Sequence, residues 1–464
     1  MPRESFRPLR VAVIGTGYVG LTTGVALAYL GHQVVGVDKD QTKIELLRSG
    51  KIPLHEPGLS ELLQLVGDRI RFTTEVREAV PKSGVILIAV GTPPKENGEA
   101  DTRFVEEAAK EVALAFLPEH SYIIAVKSTV PVGSNRRVRH IVHKVLEDRG
   151  LRDRIAVEIV SNPEFLREGQ ALYDTFYPDR IVVGAESPEG VDAMRRLYQP
   201  VLEQTFDPPG FLPRPDSYTL PPLITTTPTS AELIKYAANA FLALKISFIN
   251  EIAGLCEKVG ADVVEVARGI GLDSRIGPKF LQAGLGWGGS CLPKDTAALL
   301  AMGREHGYEM PIVTAAREVN TRQRKRAVEK LQEVLKGVRG RVIGILGLAF
   351  KPGTDDVRES PSLDLIRLLL EREAHVRAHD PLPMTMENAR KALESLEVEF
   401  MADPYAVAKG ADALVLATAW PEYRQLDLRK LAKTMRTPVL LDGRNLFDPA
   451  EAREAGFMYI GIGR

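Results

Sequence analysis

The sequence holds only two cysteines, Cys256 and Cys291, so no disulfide framework is implied and any role they have is as thiols, with a reducing compartment as the natural expectation. It also lacks a surplus of either charge. Lys and Arg number 60 against 61 Asp and Glu, a formal net charge of -1, so no global field draws the chain to nucleic acid or anionic lipid. No apolar run reads as long enough to span a bilayer, and the opening Met-Pro-Arg-Glu-Ser-Phe-Arg-Pro has none of the apolar stretch of a signal peptide. A cytoplasmic protein is expected, with no partner in nucleic acid or membrane and no metal.

What is present is an α/β grammar, in a chain of 464 residues that is too long for one ordinary core. From Val11 to about Gly184, the apolar runs VAVIG, QVVGVD, GVILIAVG, SYIIAV, VEIVSN and RIVVG alternate with helical patterns, which predicts a doubly wound, mostly parallel sheet. The grammar returns in RVIGILGLAF, AHVRAHD, ADALVLATAW and TPVLLDGRN, so a second domain of the same kind follows. Each half has a strand ending in an acid, Asp38 and Asp380, and two nucleotide-shaped ligands would suit the pair.

Between the halves, Thr229 to Glu232 has capping-box spacing, and apolar residues at helical spacing continue to about Val259. A helix this apolar must bury surface against the domains or against a second copy of itself. The stretch from Phe206 to Pro228 holds seven prolines and shows neither period, so it is expected to be an irregular loop. The expected fold is therefore α/β, with two doubly wound Rossmann-like domains joined by a long central helix and a helical middle domain. The expected bounds are 1–205 for the first Rossmann-like domain, 206–228 for the loop, 229–325 for the helical middle and 326–464 for the second Rossmann-like domain.

Gly15-Thr-Gly17-Tyr-Val-Gly20 follows a strand and opens a helix, the context that gives a dinucleotide fingerprint its meaning. The glycines permit a tight turn, close approach to a pyrophosphate and close helix packing, while the helix N-terminus favours negative charge. Asp38, 18 residues beyond Gly20, would accept from both ribose hydroxyls and repel the extra phosphate of NADP. NAD is the expected cofactor.

Ligands of an open parallel sheet sit beyond the carboxyl ends of its strands. Gly91-Thr92-Pro93, Lys127-Ser128-Thr129 and Asn162-Pro163-Glu164-Phe165-Leu166-Arg167-Glu168 fall there. Thr92 could equally be turn chemistry. Glu164 and Glu168 could serve as base and cofactor clamp, or simply as acids favoured at a helix start. In Gly284-Leu-Gly286-Trp-Gly288-Gly289-Ser-Cys291-Leu-Pro293-Lys294-Asp295, Pro293 marks the expected first helical position. Cys291 then lies before a helix N-terminus and near Lys294, two influences that favour thiolate and make it a candidate nucleophile. Cys256, inside the long helix, reads as core packing. Lys235 and Asn239, four apart on that helix, share a face and could hold a substrate oxygen, although a Lys so near a helix start is usually a solvated charge. The arginine clusters at 136–139 and 322–326 read as solvated helix faces.

Together, GTGYVG, GTPP, KSTVPVG, SNPEFLREG, ELIKYAANAFLALKISFINE, RIGPKFLQAGLGWGGSCLPKD, GLAFKPGTDDVRES and DGRN make the chain closely resemble, nearly end to end, the UDP-glucose 6-dehydrogenase family of nucleotide-sugar dehydrogenases. The resemblance implies oxidation of the sugar 6-hydroxyl to a carboxylate with two NAD, through a thiohemiacetal and a thioester on Cys291. It implies that Lys235 and Asn239 stabilise the negatively charged oxygen, and that Asp295, Glu164 and Thr129 handle protons and the hydrolytic water. It assigns cofactor contacts to Gly15, Gly17, Val19, Gly20, Asp38, Lys43, Thr92, Thr129, Glu168, Lys294 and Arg358. Substrate contacts would come from Glu164, Phe165, Leu166, Arg167, Glu168, Lys235, Asn239, Arg275, Lys279, Phe280, Leu281, Gln282, Ala283, Gly284, Gly288, Lys351 and Arg444. It also implies a homodimer or higher homo-oligomer through the long helix, with UDP-glucose as substrate.

Two departures stand out: Trp287 replaces a Phe common in relatives, and the Pro-rich loop is longer than the family pattern. The rival readings are a GDP-mannose or UDP-N-acetylhexosamine dehydrogenase of the same mechanism, a two-electron hydroxyacyl or phosphogluconate type that needs no Cys, and a non-catalytic nucleotide-sugar sensor.

Overall fold

Alternate residues of the central strands feed opposite cores, the signature of a sheet covered on both faces. In the computed structural model, which describes residues 6–464, Val11 and Val13 of strand β1 (Arg10–Ile14) join one apolar cluster and Ala12 and Ile14 the other. The opening Met-Pro-Arg-Glu-Ser lies outside the described residues. The chain divides into two compact units, Met1–Ala237 and Ala238–Arg464.

The first unit holds β1, β2 (Gln33–Val37), β3 (Ile70–Thr73), β4 (Val85–Ile88), β5 (His120–Val126), β6 (Ile155–Ser161), β7 (Ile181–Gly184) and β8 (Leu223–Thr226), in spatial order 3-2-1-4-5-6-7-8. The first six strands of that order, from β3 to β6, run parallel, as do β7 and β8 with each other, but β7 meets β6 antiparallel at Ser161 and Gly184. The order reverses at β1, between β2 and β4, so the crevice for a ligand opens beyond Ile14.

Strand β8 corrects the expectation of an irregular loop from Phe206 to Pro228. Leu223–Thr226 contains no proline and sits at the sheet edge, where only one flank must donate to a ladder. Its neighbouring prolines masked it.

The second unit holds β9 (Val342–Leu346), β10 (His375–His379), β11 (Val398–Phe400), β12 (Ala413–Leu416), β13 (Val439–Asp442) and β14 (Met458–Ile460), all parallel in the order 11-10-9-12-13-14. Ala413 and Val415 face one core and Leu414 and Leu416 the other. Helices Val263–Gly271, Leu292–Glu305 and Pro311–Leu335 precede this sheet.

Helix Pro228–Val259 runs through the point where the units divide. Thr227 caps it, its Oγ1 accepting from the Ser230 amide at 3.2 Å, with Pro228 in the first turn. The capping box expected at Thr229 to Glu232 is therefore not used. Glu232 instead accepts from the amides of Gly133 and Asn135, at 2.7 and 2.8 Å, and so closes the start of helix Ser134–Asp148. The expectation that no run could span a bilayer is also corrected, because Pro228–Val259 is long and apolar enough by length and composition. Its Lys235, Asn239 and Asn250 are buried and bonded within the protein, which is how the core helix of a folded unit behaves.

Candidate active site

In the first unit two glycines of the nucleotide loop are required by the backbone, and the third leaves a surface open. Gly15 has φ +95° and its amide donates to Val37 at 2.8 Å, which ties the β1 turn to β2. A Cβ on Gly20 would lie 1.9 Å from the Gly15 carbonyl oxygen, whereas one on Gly17 would meet nothing within 4 Å. Gly17 is thus the open side of a cradle at the start of helix Tyr18–Tyr29, a surface that fits a pyrophosphate. Val19 lies in the first turn of that helix.

Asp38 follows β2. Its Oδ2 accepts from the Thr16 amide, the Thr16 hydroxyl and the Lys43 ammonium, each at 2.9 Å, and its Oδ1 accepts from the Asp40 amide. Burial works against its charge, but Lys43 and the Thr16 and Asp40 donors outweigh it and hold the carboxyl below its ordinary value. An anionic acceptor at the end of the second strand is the feature that suits NAD in a fold of this kind.

Beyond β4 and β5, Thr92 Oγ1 donates to the Thr129 carbonyl at 2.8 Å, so the two predicted threonines belong to one bonded pair of loops. Beyond β6, Glu164 Oε2 accepts from the Leu166 amide at 2.6 Å and Oε1 pairs with Lys235 Nζ at 2.9 Å. Burial opposes the Glu164 charge, yet Lys235, the Leu166 amide and Lys127 together hold its carboxyl below the usual range. Lys235 is buried and its charge is answered by Glu164, so it is not the solvated charge usual so near a helix start. The Phe165 ring lies 3.7 Å below the Arg180 guanidinium and 5.5 Å from Lys235 Nζ. Arg167 is engaged by Asp174 through backbone and guanidinium alike. Glu168 is half-buried.

In the second unit Asn239 Nδ2 donates to Asp295 Oδ2 at 2.6 Å, and Lys294 pairs with the other oxygen of that buried carboxylate. Cys291 occupies the cap position of helix Leu292–Glu305, its carbonyl accepting from the Asp295 amide at 2.8 Å and its sulfur 3.5 Å from Ser290 Oγ. Leu292, one residue earlier than expected, is the first helical residue and Pro293 the second. Cys291 is partly exposed and Cys256 is buried.

The loop before Cys291 is held by side chains. Asn250 accepts from Gly284 N, Gln323 donates to Gly284 O, Asn320 accepts from Trp287 N, and Arg324 donates to Trp287 O. The solvated face expected at 322–326 is corrected for two of its members. Arg324 is buried and pairs with Asp364, and Arg326 pairs with Glu257, because helix Pro311–Leu335 is packed on more than one side.

Of the predicted substrate segment, Leu281 and Ala283 are core residues, Gly284 and Gly288 are buried, and Gln282 and Lys279 are exposed. Phe280 holds φ +66°, a costly conformation for an aromatic residue and a place where the chain stores strain. Arg275 and Arg358 are exposed and each pairs with an aspartate two residues earlier, while Lys351 lies 5.7 Å from the Phe350 ring.

Arg444 donates to the carbonyls of Ala417 and Gly286, and its Nη2 is buried without a hydrogen-bond partner. Burial, with the charge of Arg324 adding to it, pushes its guanidinium down to about 10. By contrast Asp380, the counterpart of Asp38, is committed inward, accepting from Leu348 N, Ala349 N, Leu382 N and Trp420 Nε1. A second ribose acceptor of the Asp38 kind is therefore not offered by this side chain.

Among the described residues no group of three His, Cys, Asp or Glu could hold a metal ion. Sequence reasoning missed Glu232, Glu56 and Arg324. The capping-box spacing pointed Glu232 to the wrong helix, Glu56 sits alone in an irregular stretch, and Arg324 was hidden in a run of charge.

The doubly wound first unit, its glycine cradle and the strand-end Asp38 define an NAD-dependent dehydrogenase. The chain belongs to the UDP-glucose/GDP-mannose dehydrogenase family, whose NAD binding domain matches residues 9–202, whose central domain matches 229–322 and whose UDP binding domain matches 344–449. It is 45% identical over 460 residues to the UDP-glucose 6-dehydrogenase TuaD of Bacillus subtilis, covering 98% of this chain and 93% of that one. It is also 45% identical over 463 residues to the UDP-glucose 6-dehydrogenase of Rhizobium meliloti, covering 98% and 100%. A UDP-glucose dehydrogenase structure from Pyrobaculum islandicum superposes with a TM-score of 0.87 at 41% identity, covering 100% and 99% of the two chains. A UDP-D-ManNAc dehydrogenase structure from Pyrococcus horikoshii reaches 0.82 at 28% identity, covering 98% and 99%.

Proposed function

We propose that this chain oxidises the 6-hydroxymethyl group of UDP-glucose to a carboxylate, a four-electron reaction that yields UDP-glucuronate, with Cys291 as the covalent catalyst. NAD, bound at the Gly15–Gly20 cradle and Asp38, supplies the hydride acceptor at both oxidation stages. The observation that carries the reading is the placement of Cys291. Of the two thiols it is the one that reaches solvent, at a helix start that favours thiolate, four residues from a buried carboxylate bonded to Asn239.

In this scheme the Cys291 sulfur adds to the C6 aldehyde and gives a thiohemiacetal, whose oxidation leaves a thioester. Water then attacks the thioester carbon and releases the acid and the thiol. Lys235 and Asn239 stabilise the oxygen that bears negative charge, and Asp295, Glu164 and Thr129 hold the protons and the hydrolytic water. Val19, Lys43, Thr92, Glu168, Lys294 and Arg358 complete the cofactor contacts. Phe165, Leu166, Arg167, Lys351, Arg444, Phe280 to Gly284 and Gly288 serve the nucleotide sugar, with Arg275 and Lys279 adding positive charge.

The orphaned Nη2 of Arg444 supports an anionic ligand at the second unit. Phe241, Phe248, Leu255 and Val259 stand exposed seven, seven and four residues apart on the long helix, which supports at least a dimer, and the expected setting is the cytoplasm.

Incubation with UDP-glucose and NAD should give two NADH per sugar and a uronic acid; one NADH per sugar would reject the scheme. GDP-mannose and UDP-N-acetylmannosamine in the same assay decide between this substrate and the alternatives with the same chemistry.

A further inference from the structure

One buried carboxylate in the first unit has no part in the scheme above and yet joins its two principal loops. Glu56 lies in the irregular stretch between helix Gln41–Arg48 and helix Leu59–Val66 and is 6% exposed. Its Oε2 accepts hydrogen bonds from the Tyr18 hydroxyl and the Gly169 amide, the latter at 2.7 Å, and its Oε1 accepts from the Leu172 amide at 3.2 Å. The Gly169 amide also donates to the Tyr18 oxygen, so tyrosine, carboxylate and amide close a triangle.

The three donors come from different places. Tyr18 sits between Gly17 and Gly20 and opens the helix whose start forms the pyrophosphate cradle. Gly169, with φ +75°, ends the loop that begins at Glu164 and carries Glu168, and Leu172 lies in the first turn of helix Ala171–Phe176. A carboxylate that satisfies three donors in a water-poor setting fixes each of them, since any one left alone would carry the full cost of its desolvation.

We infer that Glu56 is a positioning residue for cofactor binding, one that sets the carboxylate loop from Glu164 to Glu168 against the glycine cradle through Tyr18. This rests on the proposed reading of Glu164 and Glu168 as site residues. The coupling is mechanical: the near end of the loop is tied to Lys235 through Glu164, and its far end is tied to the cradle through Glu56. With both ends fixed, Glu168 is held at a set distance from the place where the cofactor's phosphates dock.

The test is a fluorescence titration of the full chain with NADH, which reads cofactor binding without any sugar and so stands apart from the two-NADH assay. Tyr18→Phe removes the bridging hydroxyl and keeps the ring, while Glu56→Gln keeps the shape and turns one acceptor into a donor. Each should raise the NADH Kd about ten-fold, the scale of a buried hydrogen bond to a charged group. The double variant should be no weaker than the worse single variant, because the two act through one bridge. In turnover, Tyr18→Phe should raise the KM for NAD and leave kcat within about two-fold, a split that general loss of stability would not produce. Should Glu56→Gln fail to fold, Tyr18→Phe carries the test alone. An unchanged NADH Kd in Tyr18→Phe, or losses that simply add in the double variant, would overturn the inference.

Discussion

Replacing Lys235 by Met exposes the electrostatics that hold the Glu164 carboxylate within the first unit. Lys235 and Glu164 are 2.9 Å apart, with side chains 4% and 6% exposed, so each is the other's principal compensation. In the wild type the Glu164 carboxyl is held below its ordinary value; burial pushes it the other way, but Lys235 prevails. A depressed carboxyl contributes stability that is present above its unfolded pKa and lost as pH falls through the folded one, so the pair adds no slope between about pH 5.5 and 8. In Lys235→Met burial remains and the main opposing charge is gone, so the Glu164 carboxyl is driven upward instead. The sign then reverses: stability is full in acid and is lost as pH rises through the raised value.

Leaving one member of a buried pair uncompensated costs roughly 3–5 kcal/mol. In a unit of about this size each kcal/mol moves Tm by about 2–4 °C, so the deficit at about pH 8 is roughly 6–20 °C. It should shrink markedly as the pH is lowered and the raised Glu164 carboxyl takes up a proton. Melting followed by circular dichroism across that range reads it directly. A deficit of equal size at every pH would mean that only packing was lost, and the ion-pair reasoning would fail.

Other expectations concern the two thiols, the cradle and the loop supports. Cys291→Ser should cut turnover to the acid by at least about a thousand-fold, while Cys256→Ser turns over nearly normally; full activity in Cys291→Ser would reject the covalent route. Gly20→Ala places a methyl 1.9 Å from the Gly15 carbonyl oxygen and should weaken NADH binding and destabilise the unit by about 1–3 kcal/mol, read by titration and denaturant unfolding. An unaltered titration would show that the cradle can shift. Arg324→Met removes the donors to Asn320 O and Trp287 O and should cost about 1–3 kcal/mol of unfolding free energy, with no change expected had the arginine been solvated.

The nucleotide cradle was legible because backbone geometry dictates it: only glycine tolerates the turn at Gly15 and the approach at Gly20. The central strands were legible for a related reason, since burial on both faces demands unbroken apolar runs such as VILI and ALVL. Edge strands carry no such demand, and β3, β8, β11 and β14 went unread. Pairings between distant residues were also invisible. Glu232 matched a local spacing rule yet serves another helix 97 residues away in sequence, because its side chain is buried against that helix start. Arg324 stood in a charged run whose helical face is settled only once the loop before Cys291 packs on it. Lys235 and Asn239 were read as one pair, whereas each has its own carboxylate partner, Glu164 and Asp295 respectively.

The loop from Gly284 to Gly289 has four glycines and no regular hydrogen-bonding pattern, a composition that ordinarily signals rapid solvent access. Here its amides are donors to fixed side chains and backbone, Gly284 to Asn250, Leu285 to Gly443, Trp287 to Asn320 and Gly289 to Arg358. In deuterated buffer these four amides should exchange with the slow class of the sheet strands, so that the segment leading to Cys291 keeps its shape on the timescale of many turnovers.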